Sequence, residues 1–179
     1  GGRVFYIIDE APDVSILIPP QWRLVARDAF NGTLLWKKPV GPWFSHLHGL
    51  KSGPADLPRK LVAKGDTVYV TLGIGEPVTA LNAATGQVEH TFEGTDNAQE
   101  FVLREGVLYV HVRDWLPTSM RDKPPAKAQR HGRADNTKAD EAEQKKWLLA
   151  IDAESGKQLW SSSQPLHTGT LAADERQVV

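Results

Sequence analysis

The chain has 179 residues, 40% hydrophobic and 24% charged, with a formal net charge of −1 and no cysteine. That is the profile of a globular domain with a sizeable core. It gives no global basic field for a nucleic acid partner, and no disulfide or thiolate metal site. No stretch approaches the ~20 consecutive apolar residues of a membrane helix.

In chain order, the first element is a strand over Arg3-Val-Phe-Tyr6-Ile. The segment Asp9–Trp22 follows, with acids close to an apolar patch. It either grips a ligand or neighbouring domain, or folds back to bury Ile16, Ile18 and Trp22 as a satellite cluster. Leu24–Trp36 then reads as two strands joined by a turn from Asp28 to Gly32. Pro39–Pro54 carries Trp43, His46 and His48. In an extended chain the two imidazoles share one face, a spacing that suits a single metal ion, but no third ligand is evident. Packed, hydrogen-bonded histidines are the alternative.

Leu61–Val70 reads as a hairpin around Lys64-Gly65-Asp66, and Val78–His90 as a second copy of the strand–turn–strand unit, with Asn82 and Gly86 at its turn. Phe101–Val110 repeats the hairpin. Arg113–Trp147 changes character: it holds Trp115 and Pro117, Pro124 and Pro125, and is almost free of apolar residues from Arg121 to Lys146. It reads as a solvated loop with a short helix over Lys138–Lys146, and its basic part, Lys123–Arg133, as solvated charge or a contact for an acidic partner. Leu148–Trp160 is the third copy, with Asp152 and Gly156 at the turn, and Leu171–Val179 starts a further hairpin.

The three copies share Ala-x-(Asp/Asn)-Ala-x-x-Gly-x-x-x-Trp, with His90 in place of Trp36 and Trp160. An Asp or Asn side chain accepts backbone N–H groups in such a turn, and glycine supplies its left-handed residue. With the hairpin of each unit named strands A and B, and the strand–turn–strand copy strands C and D, aligning Tyr6, Tyr69 and Tyr109 as the reference of strand B gives shortest spacings of 17 residues (Tyr69 to Gly86) and 23 (Gly86 to Tyr109). They define a unit of about 40 residues, the length of a four-stranded propeller blade. The surplus is three insertions of 9, 14 and 30 residues, all in B–C or D–A connections. The A–B and C–D turns, at the other end of each blade, stay minimal. Loops on a rigid scaffold concentrate function, so the elaborated end is the one to search.

The expected fold is all-β, a β-propeller segment of about three four-stranded antiparallel blades with one long charged insertion. Blade units fall near residues 1–38, 61–93 and 101–161, the insertion at 114–146 and the next blade from 171 to 179. Such repeats cannot bury their faces singly, so a fragment of a longer propeller is expected.

The repeat pattern resembles the PQQ-like family of bacterial propellers, which includes quinoprotein dehydrogenases and the outer-membrane barrel-assembly lipoprotein. The resemblance implies a docking role between blades for Trp36 and Trp160, and puts His90 outside the pattern. It implies a periplasmic or secreted location. The family's enzymes hold PQQ over calcium beside an adjacent cysteine pair. This chain has no cysteine and no residue that matches their calcium ligands or catalytic Asp. No cofactor is therefore evident, and PQQ with Ca²⁺ belongs only to the enzyme alternative. The expected function is a rigid scaffold binding a protein or small molecule at the loop-rich end, through candidates such as Trp43, His46, His48 and Trp115. The alternatives are part of a PQQ-dependent oxidoreductase or the propeller domain of a larger enzyme.

Overall fold

The computed structural model describes residues 2–43, 53–54, 57–113, 146–163, 167, 169–174 and 177–178. Three antiparallel sheets follow one another along the chain. The first joins β1 (Arg3–Asp9), β2 (Trp22–Asp28) and β3 (Leu34–Pro39). After α1, a single helical turn at Leu57–Lys60, come β4 (Leu61–Lys64), β5 (Thr67–Thr71), β6 (Val78–Asn82) and β7 (Val88–Thr91). The third sheet holds β8 (Ala98–Arg104), β9 (Val107–Arg113), β10 (Lys146–Asp152) and β11 (Gln158–Ser162). Each strand pairs with its sequence neighbour, so each sheet is a meander. The fold is a β-propeller segment of three blades, and the first blade has strands B, C and D among the described residues.

Period-two alternation lets the central blade bury both faces. Val68, Val70 and Leu81 pack with Ile7, Trp22, Leu24 and Trp43 of the first blade. The alternate residues Tyr69, Val78 and Ala80, with Phe92, pack with Phe101, Leu108, Val110 and Leu149 of the third. Burying large apolar side chains in this way stabilises each junction by about 1.5–3 kcal/mol per fully buried side chain.

The ladders correct the strand-B alignment. Ala26, Ala80 and Ala150 occupy the same place on strand C, and their strand-B partners are Phe5, Tyr69 and Tyr109. Phe5, not Tyr6, is the counterpart of the two tyrosines. On the other side the same alanines face Trp36, His90 and Trp160. Each blade thus carries an aromatic–Ala–ring row pointing toward the blade that follows, and the small central residue leaves room for rings on both sides. Phe5 and Trp36 centroids lie 5.9 Å apart, and those of Tyr109 and Trp160 6.0 Å. Just beyond each row all three C–D ladders shift register, so Leu35, Glu89 and Leu159 are bulged residues.

Segment Asp9–Trp22 does not form the satellite cluster. Ile16 is exposed, whereas Trp22 opens β2 and belongs to the core between the first two blades. The loop is held instead by Asp9 Oδ1, which accepts from Ala11 N at 2.8 Å and Gln21 N at 2.7 Å.

Candidate functional site

The turn end of the propeller is built three times from the same bonds. Asp28 Oδ1 accepts from Phe30 N and Asn31 N, and Asn82 Oδ1 from Ala84 N and Thr85 N. Asp152 Oδ1 accepts from the backbone N and the hydroxyl of Ser155. The Ser155 hydroxyl and amide hold the Asp152 carboxyl below its ordinary range. Gly32, Gly86 and Gly156 close these turns with φ of +73°, +71° and +72°. Asn82 alone also donates, from Nδ2 to Glu89 Oε1 at 2.9 Å.

Gly86 is the floor on which the first blade sits. A Cβ there would lie 2.7 Å from Trp36 Cδ2, so only glycine admits the indole. Trp36 Nε1 donates to Ala83 O at 3.0 Å, and Lys38 Nζ donates to Gly86 O at 3.1 Å. At the next junction His90 takes the same seat over Gly156: a Cβ on that glycine would overlap the imidazole, with Cε1 at 2.6 Å. His90 also meets Phe92 edge-on at 4.7 Å. Trp160 is half exposed, and nothing lies within 4 Å of a Cβ on Gly32.

A cleft of about 750 Å³ opens at this second junction. Tyr69, Ala80 and His90 come from the second blade, and Gly106, Asp152, Ala153 and Glu154 from turns of the third. Burial pushes the Tyr69 phenol up, and Glu89 adds to the shift. A smaller cleft of about 410 Å³ repeats the position one blade on, between Tyr109, Trp160, Asp174 and Val178.

The loop end holds a buried polar cluster. Glu100, on β8, accepts from Arg59 Nη1 at 2.9 Å and from Gly169 N at 2.6 Å. It thereby ties Arg59, just before β4, and Gly169, after the third sheet, to β8. His111 Nδ1 stands 3.6 Å from Glu100 Oε1, an ion-pair distance, and both nitrogens of this fully buried imidazole lack a hydrogen bond. Burial pushes the Glu100 carboxyl up, but His111, Gly169 N–H and Arg59 outweigh it and hold the carboxyl below its ordinary range. At the same end the first two blades are stitched by Gly41 N to Leu72 O at 2.7 Å and Ile74 N to Pro42 O at 2.9 Å.

Of the residues singled out from sequence, Trp43 is buried in the core between the first two blades, which leaves little of its ring for a ligand. His46, His48, Trp115 and insertion 114–145 lie outside the described residues. Glu100 and His111 went unnoticed because they alternate with apolar partners, a pattern that reads as a solvated sheet face. Both side chains are nonetheless buried. The remaining clue was an acid opposite a histidine across one ladder.

A europium-containing methanol dehydrogenase matches with a TM-score of 0.47 and 11% identity, over 90% of this chain and 23% of that one. A quinohemoprotein alcohol dehydrogenase from Comamonas testosteroni matches with a TM-score of 0.38 and 15% identity, over 81% and 19%. The chain thus spans about a fifth to a quarter of the length of these solved proteins. No curated protein sequence matches significantly. Among the described residues no three His, Asp or Glu side chains come together to hold a metal. No helix among them is long and apolar enough to cross a membrane. The family model described as outer membrane protein assembly factor BamB matches residues 20–179, and the chain belongs to that family of propeller repeats.

Proposed function

We propose that the chain is part of a single propeller domain in the periplasm or a secreted protein, and that it works as a rigid scaffold presenting its loop-rich end to a binding partner. One observation carries this reading. The three turns at one end are held by the same hydrogen bonds, whereas the long connections β1–β2, β3–α1 and β9–β10 all emerge at the other. Uniform turns and ring-on-glycine seats fix the blades, so sequence variation is spent on loops. The family's description as an outer membrane assembly factor favours a protein partner.

Site-specific photocrosslinking in cells tests it. A photoreactive residue at Val14 or Leu17, both exposed in the β1–β2 connection, should give a discrete adduct. The same residue at Phe30, 90% exposed in the opposite turn, should not. Adducts from Phe30 alone would reverse the polarity. Dye reduction that depends on added PQQ and Ca²⁺ would instead favour the oxidoreductase reading.

A further inference from the structure

The second junction differs from the first at two positions of strand D, and the differences act together. Where the first blade has Trp36 and Lys38, the second has His90 and Phe92. Trp36 and Lys38 supply an N–H and an ammonium to the turn carbonyls Ala83 O and Gly86 O of the next blade. The corresponding carbonyls, Ala153 O and Gly156 O, receive no hydrogen bond among the described residues, and His90 donates none. Phe92 has turned into the core and is fully buried. Two acceptors have therefore lost a planar N–H donor and a cation, and a cleft of about 750 Å³ opens at the same junction, lined by Ala153.

The lining fixes the sign of what fits. Glu89, Glu105, Asp152 and Glu154 line the cleft with Lys64; Glu105 is paired with Arg104 Nη2 at 3.1 Å, which leaves three acids against one lysine. The Asp152 carboxyl stays ionised, because its turn bonds hold it below its ordinary range. His90 supplies ring surface, with the buried Tyr69 behind it. A guanidinium meets all three demands: it is planar, stacks on rings, and carries a fork of N–H donors for carbonyls and carboxylates. Cleft size is also in the range of small-ligand sites, ~300–1,000 Å³.

We propose that the cleft between the second and third blades is a guanidinium-binding site, in which the ligand replaces the indole N–H and ammonium lost at this junction. It opens at the turn end, opposite the loops of the scaffold reading, and neither proposal depends on the other.

Isothermal titration of the full-length protein with agmatine, and with the blocked peptide acetyl-Gly-Arg-Gly-amide, tests it. N-carbamoylputrescine, which puts a neutral urea in place of the guanidinium, is the control. Agmatine should bind at least about tenfold more tightly than its urea analogue, the difference of one charge-assisted contact. His90→Trp fills the cleft with the repeat's own residue and should abolish binding while melting remains cooperative. Glu154→Lys, on an exposed turn, should weaken binding by about tenfold or more without unfolding the chain, and so decides the matter if the tryptophan variant misfolds. Binding of the peptide as well as agmatine assigns the site to an arginine of a partner, and binding of agmatine alone to a free small molecule. Failure of both probes, parity with the urea analogue, or unchanged affinity in a folded His90→Trp or Glu154→Lys overturns the proposal.

Discussion

Adding one methyl group at Gly86 separates the two reasons a glycine stands there. With φ at +71°, alanine pays for a left-handed backbone, about 1–2 kcal/mol. It also places a Cβ 2.7 Å from Trp36 Cδ2 and 2.8 Å from Cε3, about 1 Å inside normal carbon contact. The indole must move, which strains the junction by about 1–3 kcal/mol and loosens the bond from Nε1 to Ala83 O, worth roughly 0.5–1.5 kcal/mol. Gly86→Ala is therefore expected to cost about 3–5 kcal/mol. Gly65→Ala is the control: its φ is +62° and nothing lies within 4 Å of the added carbon, so only the backbone cost of about 1–2 kcal/mol applies. Urea denaturation should place the Gly86→Ala midpoint about 1 M below that of Gly65→Ala, given a slope of roughly 2 kcal/mol per molar. In a Trp36→Ala background the Gly86 penalty should shrink to the backbone part, a coupling of about 2 kcal/mol. Equal penalties for the two glycines, or coupling below about 0.5 kcal/mol, would refute the ring-on-glycine seat.

The other expectations use the same measurements. Asn82→Asp should destabilise by about 1 kcal/mol, although Asp stands at that place in the other two repeats, because it replaces the donor to Glu89 Oε1 with a like charge; Glu89→Gln in the same chain should restore the loss. Trp36→Phe should cost about 1 kcal/mol by leaving Ala83 O without its donor, and should leave the slope of denaturation unchanged. Glu100→Gln should flatten the acid limb of the stability curve. The folded carboxyl lies below its ordinary value of 4.5, so its contribution is present above that pH and fades as pH falls through the folded value. Melting temperatures across the acid range check this: the wild type should fall more steeply than the variant below about pH 4.5, and parallel curves would rule out a stabilising Glu100 carboxylate.

The turns were legible in the sequence because their chemistry is local. Asp28 and Asn82 bond to amides two and three residues on, and Asp152 to the amide and hydroxyl of the residue three on, so a spacing of four to glycine contains the whole structure of the turn. Strand register was less so. Phe5 and Tyr6 are both aromatic, and only the ladder to Ala26 decides which of them faces the next blade. Trp22 looked like the end of a loop but is the first residue of a core strand, since loop and strand meet there without a composition change. The Glu100 cluster was hidden for a different reason: Arg59 and Gly169 come to it from 41 and 69 residues away along the chain, and no local pattern reports a contact made through the closure of blades.

The repeat makes the middle junction informative, because its neighbour supplies the comparison that a single site lacks. Trp36 and Lys38 show what the turn of a following blade requires from strand D: a flat ring over glycine and two donors for its carbonyls. His90 keeps the ring over glycine without the indole's donor, and Phe92 gives up the ammonium for core packing against Tyr69. A substitution that merely relaxed the repeat would leave a shallow gap and no polarity. Here the gap is bordered by four acidic residues and by Ala153, whose carbonyl lacks the donor that Ala83 O receives at the first junction. Local departures from a fold's own rules are expected at functional sites. That expectation directs attention to the turn end as well as to the loops, and makes His90→Trp the substitution that separates a ligand site from a tolerated defect: restoring the ring should raise stability, and only a ligand site would lose binding in the same step.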